Sequence, residues 1–241
     1  EIQSPWNNEV VSEVDFCTEK ELQQALSAAQ RGFQESRNLP KHTRASVLEK
    51  IADLVREQSE SLTKEIVREA GKPVSFARGE VTRCENTFRR YAEAVRTQSD
   101  PNVPLDSTEA GAGRTGIIER FPCGPILGIT PFNFPLNLVA HKIAPAIATG
   151  CSFVIKPAEQ TPSAALSLGQ LALEAGYPKE AVNITPADRS QAKHLVQSNV
   201  PRLLSFTGSD RVGWALKSQS GRKKVLLELG GNAAAIVHHD A

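Results

Sequence analysis

No methionine occurs among the 241 residues, and the chain opens on Glu1. A translated chain begins with methionine, and glutamate is not one of the small second residues that promote its removal. At the other end, Ala233-Ala-Ala-Ile-Val-His-His-Asp-Ala241 reads as a strand that stops before anything covers it. The expectation is a fragment cut at both ends. Cysteine is scarce too, with Cys17, Cys84, Cys123 and Cys151 scattered singly. Without a C-x-x-C pair or a histidine at ligand spacing, a thiolate metal centre is excluded, and four isolated thiols make a poor disulfide framework. A reducing, cytoplasmic compartment follows. Charge of one sign is not in excess either. The 28 Lys+Arg against 27 Asp+Glu leave a net charge of +1, which argues against nucleic acid or an anionic membrane as partner. No apolar run approaches the ~18 residues of a membrane span, and residues 1–20 hold no signal-peptide core. Internal repeats and low-complexity tracts are absent as well. His238 and His239 would point to opposite faces of a strand, so no metal is expected there.

With 40% hydrophobic and 23% charged residues, the chain has the means to build a core. Residues 1–11 look like a short strand pair turning at Asn7-Asn8. Thr18-x-x-Glu21 is a capping box, and Leu22, Ala25, Leu26, Ala29 and Phe33 follow at helical spacing, predicting a helix over about 19–36. Leu48, Ile51, Ala52 and Val55 mark a second helix. A third runs from Leu62 to Ala70 and is closed by Gly71 with Pro73 beyond it. Val81, Cys84, Phe88, Tyr91, Ala92 and Val95 mark a fourth. Residues 98–116 are rich in Pro, Asp, Ser, Thr and Gly and read as a loop or hairpin. From there, short apolar runs alternate with helical stretches: Ile126–Thr130, Phe153–Ile155, Val182–Ile184, Leu203–Phe206, Val225–Leu229 and Ala234–Val237. Thr161 is placed as N-cap of a helix that begins at Pro162 and stops at Gly176. The fold class is therefore α/β: a helical N-terminal segment, then a Rossmann-like, mostly parallel open sheet with helices on both faces.

Gly111-Ala-Gly-Arg-Thr-Gly116 matches the dinucleotide fingerprint. That motif works only between a strand and a helix, because the helix N-terminus must receive the pyrophosphate. A polar loop precedes it here and an extended stretch follows, so the match is read as a glycine-rich turn. Position is the better guide, since ligands of an open α/β sheet bind beyond the carboxyl ends of its strands. The residues just past the expected strands are Thr130-Pro-Phe-Asn133, Lys156-Pro-Ala-Glu159, Thr207-Gly-Ser209 and Glu228-Leu-Gly-Gly231. They bring an amide, a cation, two carboxylates, hydroxyls and free backbone to one edge. Each has a plainer reading. Asn133 could be a turn former between Pro131 and Pro135, Lys156 and Glu159 a solvated surface pair, and Ser209 a simple helix cap. Glu228 closes an apolar strand, where partial desolvation would suit it to act as a base.

Pro131-Phe-Asn-Phe-Pro135, Lys156-Pro-Ala-Glu-Gln-Thr-Pro162, Phe206-Thr-Gly-Ser209 and Glu228-Leu-Gly-Gly-Asn232 resemble, in order and rough spacing, the signatures of the aldehyde dehydrogenase superfamily. Glu69-Ala-Gly-Lys-Pro73 is similar to another of its landmarks. The resemblance runs from about residue 4 to the end, and the wording between the motifs is most similar to bacterial lactaldehyde- or glyceraldehyde-type members. It implies the N-terminal half of a hydrolytic, NAD(P)-dependent enzyme, truncated before the catalytic domain. Such an enzyme oxidises an aldehyde to a carboxylic acid through a cysteine thiohemiacetal and thioester.

By that resemblance, Asn133 is the oxyanion donor, Glu228 the general base, and Lys142 a neighbour that tunes Glu228. Lys156 and Glu159 hold the adenosine ribose, with Glu159 favouring NAD over NADP. Ser209 meets the pyrophosphate within the glycine turn Gly208–Gly213, and Ile129, Thr130, Pro131 and Leu229 line the cofactor cleft. The nucleophilic cysteine is expected a few tens of residues beyond Ala241. None of the four cysteines present fits by position, and Cys123 and Cys151 are read as small apolar residues. The fragment alone is expected to be inactive and poorly soluble. Expected segments are 1–97 (strand pair and helices), 98–121 (an oligomerisation hairpin, implying a homodimer or homotetramer) and 122–241 (the incomplete NAD-binding region). Two other readings stand beside this one: an acylating enzyme that passes its thioester to coenzyme A, against which Glu228 speaks, and a non-catalytic nucleotide-binding chain.

Overall fold

The computed structural model describes residues 1–241. Two short strands open the chain, β1 (Ile2–Gln3) and β2 (Val10–Ser12), paired antiparallel. Asn8, at φ 59°, makes the turn between them. Four helices follow: α1 (Glu19–Ser36), α2 (Lys41–Glu57), α3 (Ser59–Ala70) and α4 (Val74–Thr97). The Thr18/Glu21 capping box is complete, with Glu21 N–H donating to Thr18 Oγ1 and Thr18 N–H to the Glu21 carboxylate. Gly71 ends α3 in the left-handed region at φ 61°, where a Cβ would be strained.

Strands β3 (Asn102–Pro104) and β4 (Thr115–Ile117) form an antiparallel hairpin. Gly111 and Gly113 lie in its connection, and Gly116 lies in β4, so the fingerprint match is a turn with no helix after it. The remaining elements are β5 (Ile126–Ile129), α5 (Asn137–Ala148), β6 (Phe153–Lys156), α6 (Ser163–Glu174), β7 (Val182–Ile184), α7 (Ala192–Gln197), β8 (Leu203–Thr207), α8 (Asp210–Gln219) and β9 (Lys224–Glu228). Strands β5 to β9 make one fully parallel sheet in the order β7-β6-β5-β8-β9. Counted from its first strand this is the order 3-2-1-4-5 of a doubly wound nucleotide-binding sheet, whose winding reverses between β5 and β8.

The pleat divides the core in two. Ile126, Phe153 and Ile155 face a cluster built with α2, α3, α4, α5 and α6. Leu127, Ile129, Val154, Leu204 and Phe206 face a smaller cluster with α1 and α7. Central β5 and β6 are buried on both faces, whereas β9 alternates between half-buried and exposed residues. Leu226, on the α5 side of β9, is 57% exposed.

Three local expectations are corrected. Ala234–Val237 forms no strand: β9 is the last paired strand, no neighbour completes the backbone bonds of 234–237, and Ile236 is exposed. Strand β9 closes at Glu228 rather than Leu229. Thr161 does not cap α6, since its buried hydroxyl has no partner. The cap comes from α3, where Glu69 accepts from Ser163 N–H (3.1 Å) and Ser163 Oγ, and also from Ser12 Oγ on β2 (2.6 Å).

Candidate active site

The polar segments found in sequence converge at the carboxyl edge of the sheet, around the β5/β8 reversal. Because side chains alternate along a strand, the sheet sorts them. Ile129, Lys156 and Phe206 lie on the α1/α7 side, in phase with Leu127, Val154 and Leu204. Lys142 on α5, Thr207 and Glu228 lie on the other side, lining a groove of about 780 Å³ between α5 and the exposed face of β8 and β9.

Lys142 is the most constrained of these groups. It is 6% exposed, and its Nζ donates to Thr207 Oγ1 at 2.8 Å. The stem lies against Gly128 of β5, where a Cβ would stand only 3.2 Å from Lys142 Cβ and 2.6 Å from Ile155 Cδ1. Glycine at 128 therefore lets α5 approach the strand closely enough to bury a lysine. Burial lowers the Lys142 pKa to about 8, and the neighbouring Glu228 charge opposes that shift. Glu228 itself is exposed, contrary to the expected desolvation, because it ends the edge strand on the face that no helix covers.

Lys156 and Glu159 are not a solvated pair. Lys156 is 4% exposed, its Nζ donates to Pro157 O at 3.3 Å, and it sits 3.8 Å from Glu159 Oε1. Burial lowers its pKa, against the nearby Glu159 carboxylate. Arg189 Nε also lies 3.8 Å from Glu159 Oε1. Neither approach is a hydrogen bond, and Glu159 Oε1 and Thr130 Oγ1 are both buried without a partner. Orphaned buried acceptors of this kind call for a ligand or water. At the glycine turn, a Cβ on Gly213 would meet Leu229 Cδ2 at 2.5 Å, and one on Gly208 would meet the Phe206 ring at the same distance. Ser209 stands at the N-cap position of α8 without a side-chain cap bond, while Asp210 accepts from Arg211 N–H.

Asn133 is exposed on the loop between β5 and α5, outside the residues that line the groove. Thr130 is buried, and Pro131 is half-buried at the start of that loop. Of two residues beneath it, Lys72 stood in the Glu69–Pro73 landmark without a role, and Glu80 escaped the sequence reading. Lys72 Nζ donates to Asn133 O (2.7 Å) and to Glu80 Oε2 (2.5 Å), and Glu80 Oε1 accepts from Leu136 N–H (2.9 Å) and Asn137 N–H (3.1 Å). A signal for Glu80 existed. It falls between Ala77 and Val81 on the apolar stripe of α4, where a carboxylate is out of place unless it is paired.

Cys123 precedes β5 and Cys151 precedes β6, so both lie at the amino edge of the sheet, where they line the opposite end of the groove that holds Thr207 and Glu228. Cys151 is buried as expected, but Cys123 is exposed. The two thiols share a hydrogen bond that lowers the pKa of Cys151 and raises that of Cys123. At the other extreme, the ligand atoms of exposed His238, His239 and Asp240 lie within 4.8 Å of one another. Residues 238 and 239 lie in no strand, so their side chains are not held to opposite faces as expected.

Residues 1–241 match the profile of the aldehyde dehydrogenase family, and the chain belongs to that family. It is 40% identical over 239 residues to a putative aldehyde-dehydrogenase-like protein of Sinorhizobium fredii, covering 99% of this chain and 47% of that one. Among solved structures, aldehyde dehydrogenase 21 of Physcomitrella patens, in complex with the reaction product succinate, superposes with a TM-score of 0.93. It is 40% identical, with 96% of this chain and 48% of that chain covered. The glyceraldehyde-3-phosphate dehydrogenase of Methanocaldococcus jannaschii, complexed with NADP, is 34% identical at a TM-score of 0.90, covering 95% and 50%. The chain spans about half the length of the curated relatives it matches. No helix is long and apolar enough to cross a membrane.

Proposed function

We propose that this chain is the cofactor-binding half of an NAD(P)-dependent aldehyde dehydrogenase of the hydrolytic kind. The observation that carries the reading is the buried Lys142–Thr207 bond beside Glu228, at the edge where the strand order reverses. The orphaned Glu159 and Thr130 oxygens fit a nicotinamide dinucleotide, with Glu159 accepting from a ribose hydroxyl, Lys156 alongside it, and Ile129, Pro131, Gly208, Ser209, Gly213 and Leu229 bordering the cleft. When bound, that cofactor accepts a hydride from the substrate carbon. A Glu159 carboxylate whose buried Oε1 has no hydrogen-bond donor would accept from a ribose 2′-hydroxyl and repel a 2′-phosphate, favouring NAD over NADP, and replacing NAD by NADP in the kinetic assay tests this.

In the proposed reaction, a thiolate outside these residues adds to the aldehyde carbon. The amide of Asn133 donates to the oxygen that becomes negative. Glu228 then takes a proton from the water that cleaves the thioester, and its exposure on β9 leaves it open to that water. Lys142, held on Thr207, sets the charge that Glu228 experiences. The substrate is a small aldehyde, the compartment is the cytoplasm, and the hairpin at 98–121 pairs subunits into a homodimer or homotetramer, which sedimentation of the full-length protein would show.

The test is steady-state and burst kinetics on the full-length protein. Asn133→Ala should lower kcat about 100- to 1000-fold, the cost of losing one oxyanion donor. Glu228→Gln should give a single burst of reduced cofactor and then stall as the acylated enzyme. Steady turnover in Glu228→Gln would remove the general-base role, and acceleration by coenzyme A would favour the acylating reading. Cofactor binding without reduction would leave only the nucleotide-binding one.

A further inference from the structure

We propose that the Lys72–Glu80 ion pair is the positioning device for Asn133. This inference rests on the reading of Asn133 as oxyanion donor. Asn133 stands exposed between two prolines, and its carbonyl is tied down by Lys72 Nζ at 2.7 Å. The ammonium spends a second donor on Glu80 Oε2 and lies 4.0 Å from the centroid of the Phe134 ring, the next residue of the same loop. The Glu80 side chain is fully buried and that of Lys72 only 13% exposed. With its other oxygen Glu80 takes the N–H groups of Leu136 and Asn137, the first donors of α5. One ion pair thus fastens α4 to the loop that carries Asn133 and to the helix that carries Lys142.

Stability alone gives little reason for such a pair. Burying two charges is often no better than packing apolar side chains of the same volume, and the rest of this face of α4 is apolar. What the charges supply is direction. The carboxylate sets where α5 begins, and the lysine sets how far the Asn133 backbone stands from it. The Asn133 amide has no other anchor in the hydrogen-bond network, so its place follows from its carbonyl.

The experiment is a double-mutant cycle in the full-length enzyme, reading kcat, KM for aldehyde, the cofactor dissociation constant and the melting temperature. Lys72→Met keeps the apolar stem and deletes the donors. It should lower kcat about 100-fold, as a displacement of roughly 1 Å does at a reacting centre, with the cofactor constant unmoved. In an Asn133→Ala background the same substitution should lower kcat by less than about threefold, because groups acting through one another are not additive. Lys72→Arg keeps the charge and serves if Lys72→Met does not fold. Its longer fork displaces the carbonyl, and its kcat loss should likewise vanish in Asn133→Ala. Equal losses in both backgrounds, or no loss in wild type, would overturn the inference and leave the pair a folding brace. An unchanged kcat in Asn133→Ala alone would instead overturn the oxyanion reading, and this inference with it.

Discussion

Lys142 shows how one residue's chemistry is set by its neighbours. The stem is buried because residue 128 of β5 is glycine, and its ammonium has one protein partner, Thr207 Oγ1. Since burial moves its pKa from 10.5 to about 8, the unfolded chain binds the extra proton more readily than the folded one between those values. Stability should therefore rise with pH across the window 8 to 10.5, and Lys142→Met should abolish that rise. Urea titrations of both proteins at pH 7.5 and 10 would measure the difference. Lysine side chains labelled at Cε would show Lys142 titrating near 8, apart from the exposed lysines. The sequence offered Lys142 through family resemblance alone, because nothing in Ala140-His-Lys-Ile143 announces that this lysine is inside. Glu80 was missed for the opposite reason: the apolar stripe of α4 is legible without it, so a carboxylate on the stripe passed as noise.

At the scale of the element, local pattern performed well wherever the partner was local. The capping box before α1, the glycine end of α3 and the hairpin turn at Gly111–Gly113 all follow from residues within a turn of one another. The start of α6 did not. Thr161 and Pro162 have the right composition for a helix start, yet the donors of Ser163 are taken by Glu69, 94 residues away. That carboxylate also accepts from Ser12, so it joins β2, α3 and α6 just after the loop that follows Lys156 and bears Glu159. Glu69→Ala should cost about 1 kcal/mol in chemical denaturation, since it leaves the half-buried donors of Ser12 and Ser163 without their acceptor. Glu69→Gln, which keeps one acceptor oxygen, should cost less. A neutral Glu69→Ala would mean that water caps α6 equally well.

For the whole molecule, the parallel sheet is closed on one side by half-buried β7 and left open on the other by β9. There the face of β9 that carries Leu226 meets solvent, and Trp214 of α8 is exposed on the opposite face. An open, apolar edge is a template for strand addition. The 241-residue chain by itself should associate as its concentration rises. Leu226→Lys should raise its soluble limit without altering its melting temperature, as light scattering and calorimetry would record. A monodisperse wild-type chain at high concentration would show that the edge is protected.

Sequence by itself determined the α/β class, the succession of helices and strands, and the residues delivered to the carboxyl ends of β5, β6, β8 and β9. Helical periodicity, capping and strand alternation act over a few residues and are written in the order of the chain. Only the tertiary structure decided that β5 and β8 are neighbours, that Lys142 and Glu228 lie across the sheet from Lys156, that Glu228 is exposed, and that 234–237 forms no strand. Burial and pairing decide these matters, and both are sums over residues far apart in the chain. Lys72 and Glu80 meet Asn133 and Leu136 across 61 and 56 positions, a distance over which no local pattern extends.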